Sequence, residues 1–215
     1  RHNWHLHNMA FSADKIRQGA AGQGGYELEQ SLRFDDDAVT TLNWTPASAG
    51  NRNTWTFSCW IKQGTISTNR AIFGANVGSN ALYIDSNDIL TLEYYNGSGG
   101  TNFYKQSSAK YRDTSGWYHI VFVWNTTSGT ADDRIQLWVN GTRLTSFSAS
   151  SNPGQNLDSH INNAIEHQIG NRGHNAPANV NWDGYLAEVN FIDGQALTPA
   201  DFGETGTYGE WKPIE

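Results

Sequence analysis

The sequence predicts an all-β protein built as a single antiparallel β-sandwich, and three observations carry that prediction. First, the stretch from Gly116 to Phe147 reads as strand, turn, strand, tight turn and strand in succession. Within it Ile135, Leu137 and Val139 alternate with Gln136, Trp138 and Asn140, the period of a strand with two unlike faces. Second, Asn140-Gly141 is the strongest kind of short hairpin signal, because both central residues of a type I′ turn take positive φ. Third, nine each of Trp, Tyr and Phe, 22 Gly and only 16% charged residues describe wide faces joined by many turns. At 215 residues the chain is long enough for one large sandwich with a full core.

The elements follow in order. Residues 1–8, RHNWHLHN, differ from what comes after, and Met9 opens MAFSADKIRQGAAGQGG as a natural start would. The first eight residues are read as a tag or upstream extension, and His2, His5 and His7 as part of that tail rather than a metal site. Ser12 is placed to cap a short helix to about Ala21, ended by Gly22 to Gly25. This segment, 9–25, is too short and polar to pack alone and is expected to be an arm on the sandwich or on a neighbouring chain. The sandwich itself is assigned to 26–202. SLRF and AVTTLNW supply its first strands. NTWTFSCWIKQ carries large residues on both faces and is therefore expected to be central. RAIFGAN, SNALYID and DILTLEYYN follow, then a loop through Gly97–Gly100, then TNFYKQSS. Residues 148–160 read as a long polar loop, NAIEHQIGN and WDGYLAEVNFIDG as the last strands, and Thr198 as the cap of one helical turn to Phe202. Residues 203–215, polar with isolated aromatics, read as a tail that begins a further segment.

The formal net charge of −7 argues against nucleic acid, whose phosphates need a basic stripe. It also argues against electrostatic docking on an anionic membrane. No apolar run approaches a membrane span, and no signal-peptide core opens the chain. The one cysteine, Cys59, excludes an intrachain disulfide and sits in a strand pattern as a buried, inert thiol.

GWYHIVFVWN, LWVNGTRL, IGNR and WDGYLAEVNFIDGQALTPADF together resemble the laminin-G-like, or concanavalin A-like, jelly-roll family over roughly residues 27–202. Trp117, His119, Val139, Gly141, Ile169, Gly170, Gly184, Leu186, Glu188, Val189 and Leu197 fall on its pattern. The chain departs from it at Ala187, where the pattern has an acid. The opening MAFSADKIRQGAAG and the ending FIDGQALTPADFGE are similar to the virion and tail-associated proteins of tailed bacteriophages that carry this domain. The resemblance implies two packed antiparallel sheets in jelly-roll order, and binding far more often than catalysis. It implies a display module at the virion surface, partnered by other virion subunits, forming a homo-oligomer and adhering to host surface polysaccharide. A purely structural virion subunit that binds only protein, and a glycan hydrolase on the same fold, are the alternatives.

Glucanases of this fold need a nucleophile and a general acid on one strand, about 5 Å apart for retention, in the family pattern E-x-D-x-x-E. No strand here shows it. Glu27 and Glu29 precede the first core strand, while Asp35-Asp36-Asp37 and Asp132-Asp133 are turn runs. No G-x-S-x-G occurs, and His119, alternating with Val121 and Val123, is read as a hydrogen-bonded, partly buried histidine. No catalytic residue is therefore assigned. Asp85, Asn87 and Asp88 crowd one loop with the oxygen donors that Ca2+ takes, in a spacing that a tight Asx turn also produces. Two polar-aromatic clusters are carbohydrate-binding candidates. In the first, Leu90, Leu92 and Tyr94 share a face, which leaves Glu93 and Tyr95 on the other, with Asn102 and Tyr104 across the Gly loop. The second is Arg172, His174, Asn175 and Trp182, before the last long strand.

Overall fold

A computed structural model describes residues 2–3, 30–37, 40–75, 80–95, 103–172 and 180–214. The expected arm at 9–25 and its helix lie outside these residues. The strands are β1 (His2–Asn3), β2 (Leu32–Phe34), β3 (Leu42–Trp44), β4 (Thr54–Gln63), β5 (Arg70–Ala75) and β6 (Asn80–Ile84). They continue with β7 (Ile89–Tyr94), β8 (Phe103–Lys110), β9 (Tyr118–Asn125), β10 (Ile135–Val139) and β11 (Thr142–Arg143). The last are β12 (Phe147–Ser150), β13 (His167–Ile169), β14 (Gly184–Asp193), β15 (Gly203–Thr205) and β16 (Trp211–Pro213). Two antiparallel sheets form a sandwich, as the jelly-roll expectation requires. The first runs β1-β14-β4-β9-β10-β11, with β2 also on the edge of β14, and the second runs β12-β8-β7-β6-β5-β13-β3.

Period-two alternation decides what each sheet buries. Trp55, Phe57, Cys59 and Ile61 of β4 face inward, directly opposite Trp124, Phe122, Ile120 and Tyr118 of β9. β4 lies between β14 and β9, the central place its two large-residue faces predict. In the second sheet Leu82, Ile84, Leu90, Leu92 and Tyr94 face the same core. Phe57 of one sheet stacks on Phe73 of the other, with ring centroids 4.5 Å apart, so the core is continuous between the layers. Cys59 is fully buried, and burial pushes its thiol up, consistent with an inert group. The Asn140-Gly141 turn takes φ of 48° and 76°, the left-handed pair that the dipeptide predicts.

Two boundaries differ from the sequence reading. Ser148–Ser150, read as the start of a loop, continue from Phe147 as an edge strand paired with β8. Its small polar residues fit a sheet edge while giving little hydrophobic signal. The segment after residue 202, read as a tail, folds back as the β15–β16 hairpin. Its Trp211 packs with Trp117 against buried Trp60 and Ala187 on the outer side of the first sheet. The helical turn before it, Pro199–Asp201, carries the expected Thr198 cap, with Asp201 accepting from the Thr198 N–H at 2.8 Å.

Candidate functional site

The outer face of the second sheet carries the polar groups. Strand register places Tyr104, Glu93, Ala81, Gly74, Gln168 and Asn43 in one row across six strands. A second row, Gln106, Thr91, Tyr83 and Ala71, lies beside it. Gly74 and Ala81 leave the middle of the first row without bulky side chains, and the chain at Arg172 lies down in that gap. A Cβ on Gly74 would stand 2.9 Å from the Arg172 Cα, so the close approach requires glycine. Arg172 is thereby delivered to the sheet. Its guanidinium carbon sits 5.8 Å from the Tyr83 ring centroid, and its Nη1 is 3.8 Å from Glu93 Oε2. The Tyr83 hydroxyl donates to the same Glu93 oxygen at 3.2 Å. Burial, reinforced by the Glu93 charge, pushes the Tyr83 phenol up, so it stays protonated as a donor. The Glu93 and Arg172 side chains keep 16% and 20% of their surface exposed, enough to meet a ligand and little enough to hold a fixed geometry.

The structure thus merges Glu93 and Tyr104 from one sequence cluster with Arg172 from the other. Tyr95, half-buried, lies just past the end of β7, where its backbone pairs with the Asn80 side chain. Asn102, His174 and Asn175 lie outside the described residues. Trp182 is corrected: it is fully buried in the core and offers no face to a ligand. A tryptophan among polar loop residues reads as exposed until the packing is known. Sequence reasoning missed Tyr83, Gln106, Gln168 and Asn43. The alternation in SNALYID, with Leu82 and Ile84 inward, was the available signal for Tyr83.

In the loop proposed for calcium, Asp85 Oδ1 accepts from the backbone N–H of Asn87 and Ile89, the Asx turn of the alternative reading. Asp88 points inward, completely buried. It accepts from Arg70 Nη2 at 3.0 Å, Arg112 Nε at 2.9 Å and the Ser67 N–H at 2.7 Å. Its carboxylate serves protein donors on both oxygens. The one cluster of three acidic groups among the described residues is Asp35, Asp36 and Asp37, the run read as a turn.

The outer side of the first sheet holds a pocket of about 260 Å³ lined in part by Ser58, His119, Glu188 and Asp201. Ser58 Oγ lies 2.8 Å from His119 Nε2, a spacing that a nucleophile and its base would share. The other ring nitrogen decides the matter. Trp211 Nε1–H donates to His119 Nδ1 at 2.9 Å, so Nδ1 is the acceptor and the neutral ring carries its proton on Nε2. His119 therefore donates to Ser58 and has no lone pair with which to take the serine proton. Burial lowers its pKa from 6.5 to about 4, which keeps the ring neutral. This is the hydrogen-bonded histidine of the sequence reading, buried more deeply than expected.

Sheet order and registers define an antiparallel jelly-roll β-sandwich domain. A family model described as the concanavalin A-like lectin/glucanases superfamily, of laminin G type, matches residues 35–202, and the chain belongs to that family. No curated protein matches the sequence. Among solved structures, the carbohydrate-binding module CBM40 of the Ruminococcus gnavus IT-sialidase bound to α2,3-sialyllactose is similar, with a TM-score of 0.50 and 13% identity, over 76% of this chain and 96% of that one. Domain 4 of AbnA, an extracellular arabinanase of Geobacillus stearothermophilus in complex with arabinotriose, has a TM-score of 0.41 and 20% identity, over 69% and 64%. Domains LG4-5 of the mouse laminin α1 chain have a TM-score of 0.49 and 13% identity, over 73% and 40%. At these identities the shared feature is the fold.

Proposed function

We propose that this domain is a non-catalytic glycan-binding module that works through the outer face of its second sheet. One observation carries the reading: register and a glycine-permitted loop bring Tyr83, Glu93 and Arg172 together, with Tyr104 and the amides of Gln106 and Gln168 on the same face. Sugars present hydroxyls that both donate and accept, and planar amides, carboxylates and guanidinium groups meet them in pairs. The reversed Ser58–His119 hydrogen bond supports binding over acyl-transfer chemistry. The resemblance of the two chain ends to tailed-phage proteins supports the finer reading: display on a virion, bound to other virion subunits, for adhesion to host surface polysaccharide.

A glycan array probed with the labelled protein tests the site. Wild type is expected to bind a restricted set of glycans, and Glu93→Ala to lose about tenfold or more, the usual worth of a charged hydrogen bond. Binding that survives unchanged in both Glu93→Ala and Tyr83→Ala would remove this face from consideration.

A further inference from the structure

The structure assigns a second ligand site to the pocket beneath the C-terminal hairpin, for an uncharged acetamido group of the kind an N-acetylated sugar carries. The pocket is on the opposite sheet from the face proposed above, and the assignment does not rest on that face. It has a volume of about 260 Å³ and lies between the outer side of the first sheet and the segment 197–214. A hydrogen-bond relay ends there. Trp211 Nε1–H donates to His119 Nδ1 at 2.9 Å, which leaves the imidazole proton on Nε2 to donate to Ser58 Oγ at 2.8 Å. Ser58 lines the pocket and is 1% exposed. Its oxygen is occupied as an acceptor, and its own O–H has no acceptor among the described residues. A buried hydroxyl proton without a partner is uncommon, and the bonds before it in the relay polarise it into a stronger donor.

The pocket therefore takes a ligand that brings an acceptor. Ile192, Leu197 and Phe202 line the same space and suit a methyl group or the apolar side of a sugar ring. Among the described residues that line it there is no lysine or arginine, and the His119 ring is neutral. A carboxylate would give up its hydration for neutral donors alone, whereas an amide carbonyl loses far less. Asp201, also in the lining, receives the Thr198 N–H and hydroxyl on Oδ2. Its Oδ1 takes no hydrogen bond among the described residues and can accept an N–H. A carbonyl, a methyl and an N–H are the three parts of an acetamido group. The volume exceeds the roughly 150 Å³ that holds a benzene ring and falls short of the roughly 300 Å³ at which pockets begin to enclose a drug-sized ligand, so it suits one sugar unit.

Calorimetry and saturation-transfer NMR with N-acetylglucosamine, glucose and an Nε-acetyl-lysine peptide test this on wild type, Leu197→Trp and Ser58→Ala. Wild type is expected to bind N-acetylglucosamine about tenfold more tightly than glucose, with the strongest saturation on the acetyl methyl. Leu197→Trp fills the pocket from a half-buried wall position and should abolish that binding. Ser58→Ala should weaken it roughly three- to tenfold, the worth of one neutral hydrogen bond. Melting temperatures verify both folds, and the wild-type ratio decides the matter if either variant does not fold. N-acetylglucosamine bound no better than glucose, or bound equally well by Leu197→Trp, overturns the assignment. Tighter binding of the acetyl-lysine peptide overturns the sugar as occupant. A sugar lost in Glu93→Ala and retained in Leu197→Trp belongs to the second sheet, which overturns the pocket site and supports the glycan face.

Discussion

Acidification from pH 7 to pH 5 should cost this domain about 4 kcal/mol of stability through two buried histidines. His119 is 1% exposed beneath the β15–β16 hairpin, and His167 is 2% exposed between Trp44 and Phe73, at centroid distances of 5.0 and 6.1 Å. Burial lowers each pKa from 6.5 to about 4. The unfolded imidazole binds its proton near pH 6.5 and the folded one only near pH 4. Between those values the unfolded chain holds more protons, so stability rises with pH and is lost on acidification. Integrated from pH 7 to 5, the loss is about 2 kcal/mol per ring. For His119 the physical reason is visible: a proton on Nδ1 would face the Trp211 N–H, donor against donor. The Asp88 carboxyl does not enter this window. Burial would raise it, but the Ser67 N–H and the Arg70 and Arg112 guanidinium groups outweigh burial and hold it below 3.8, so its contribution fades only in stronger acid. Urea denaturation followed by tryptophan fluorescence at pH 7, 6 and 5 measures the effect, by linear extrapolation. His119→Gln and His167→Gln should each remove about half of the pH dependence. A stability that stays constant from pH 7 to 5, or a slope undiminished in both variants, would refute the reasoning.

Four further outcomes follow from the packing and hydrogen bonding. Trp211→Ala uncovers Trp60 and removes the bond to His119. It should destabilise by about 2–3 kcal/mol in urea melts, and hydration of the ring should raise the His119 pKa in an NMR titration. Trp182→Ala should cost about 3–5 kcal/mol as a cavity in the core; a melting temperature within a degree of wild type would contradict its burial. Asp88→Asn strands the fully buried Arg70 and should cost about 3–5 kcal/mol. Because both Asp88 oxygens already serve protein donors, millimolar calcium should leave the wild-type melting temperature unchanged; a rise that Asp85→Ala abolishes would establish the loop as a calcium site.

Local period was enough for most of the architecture. The alternation in IQLWV and LTLEY, the Asn140-Gly141 turn and the two-faced apolar run in β4 each report on a strand from its own residues. The resemblance to the laminin-G-like family then supplied the sheet count. Where a segment lacks periodic apolar residues, as in the FSAS edge strand or the hairpin around Trp211, nothing local distinguishes strand from loop. Half of the candidate site was legible in the same way. Glu93 reads as outward because Leu92 and Tyr94 alternate with it on the inner face, and Arg172 stands out as a charged residue among polar ones.

By itself, then, the amino-acid order determined that these are antiparallel strands, which residues of most strands face the core, and that Cys59 and His119 belong to strands. Only the tertiary structure decided which outward residues are neighbours. Glu93 and Arg172 are 79 positions apart in the chain, and their meeting depends on the register of β5, β6 and β7 and on the empty space above Gly74. Trp182 went inward for the same kind of reason. Side-chain direction within one strand is a local property of the backbone, whereas adjacency across strands and the burial of a loop are set by long-range pairing, which no single segment encodes.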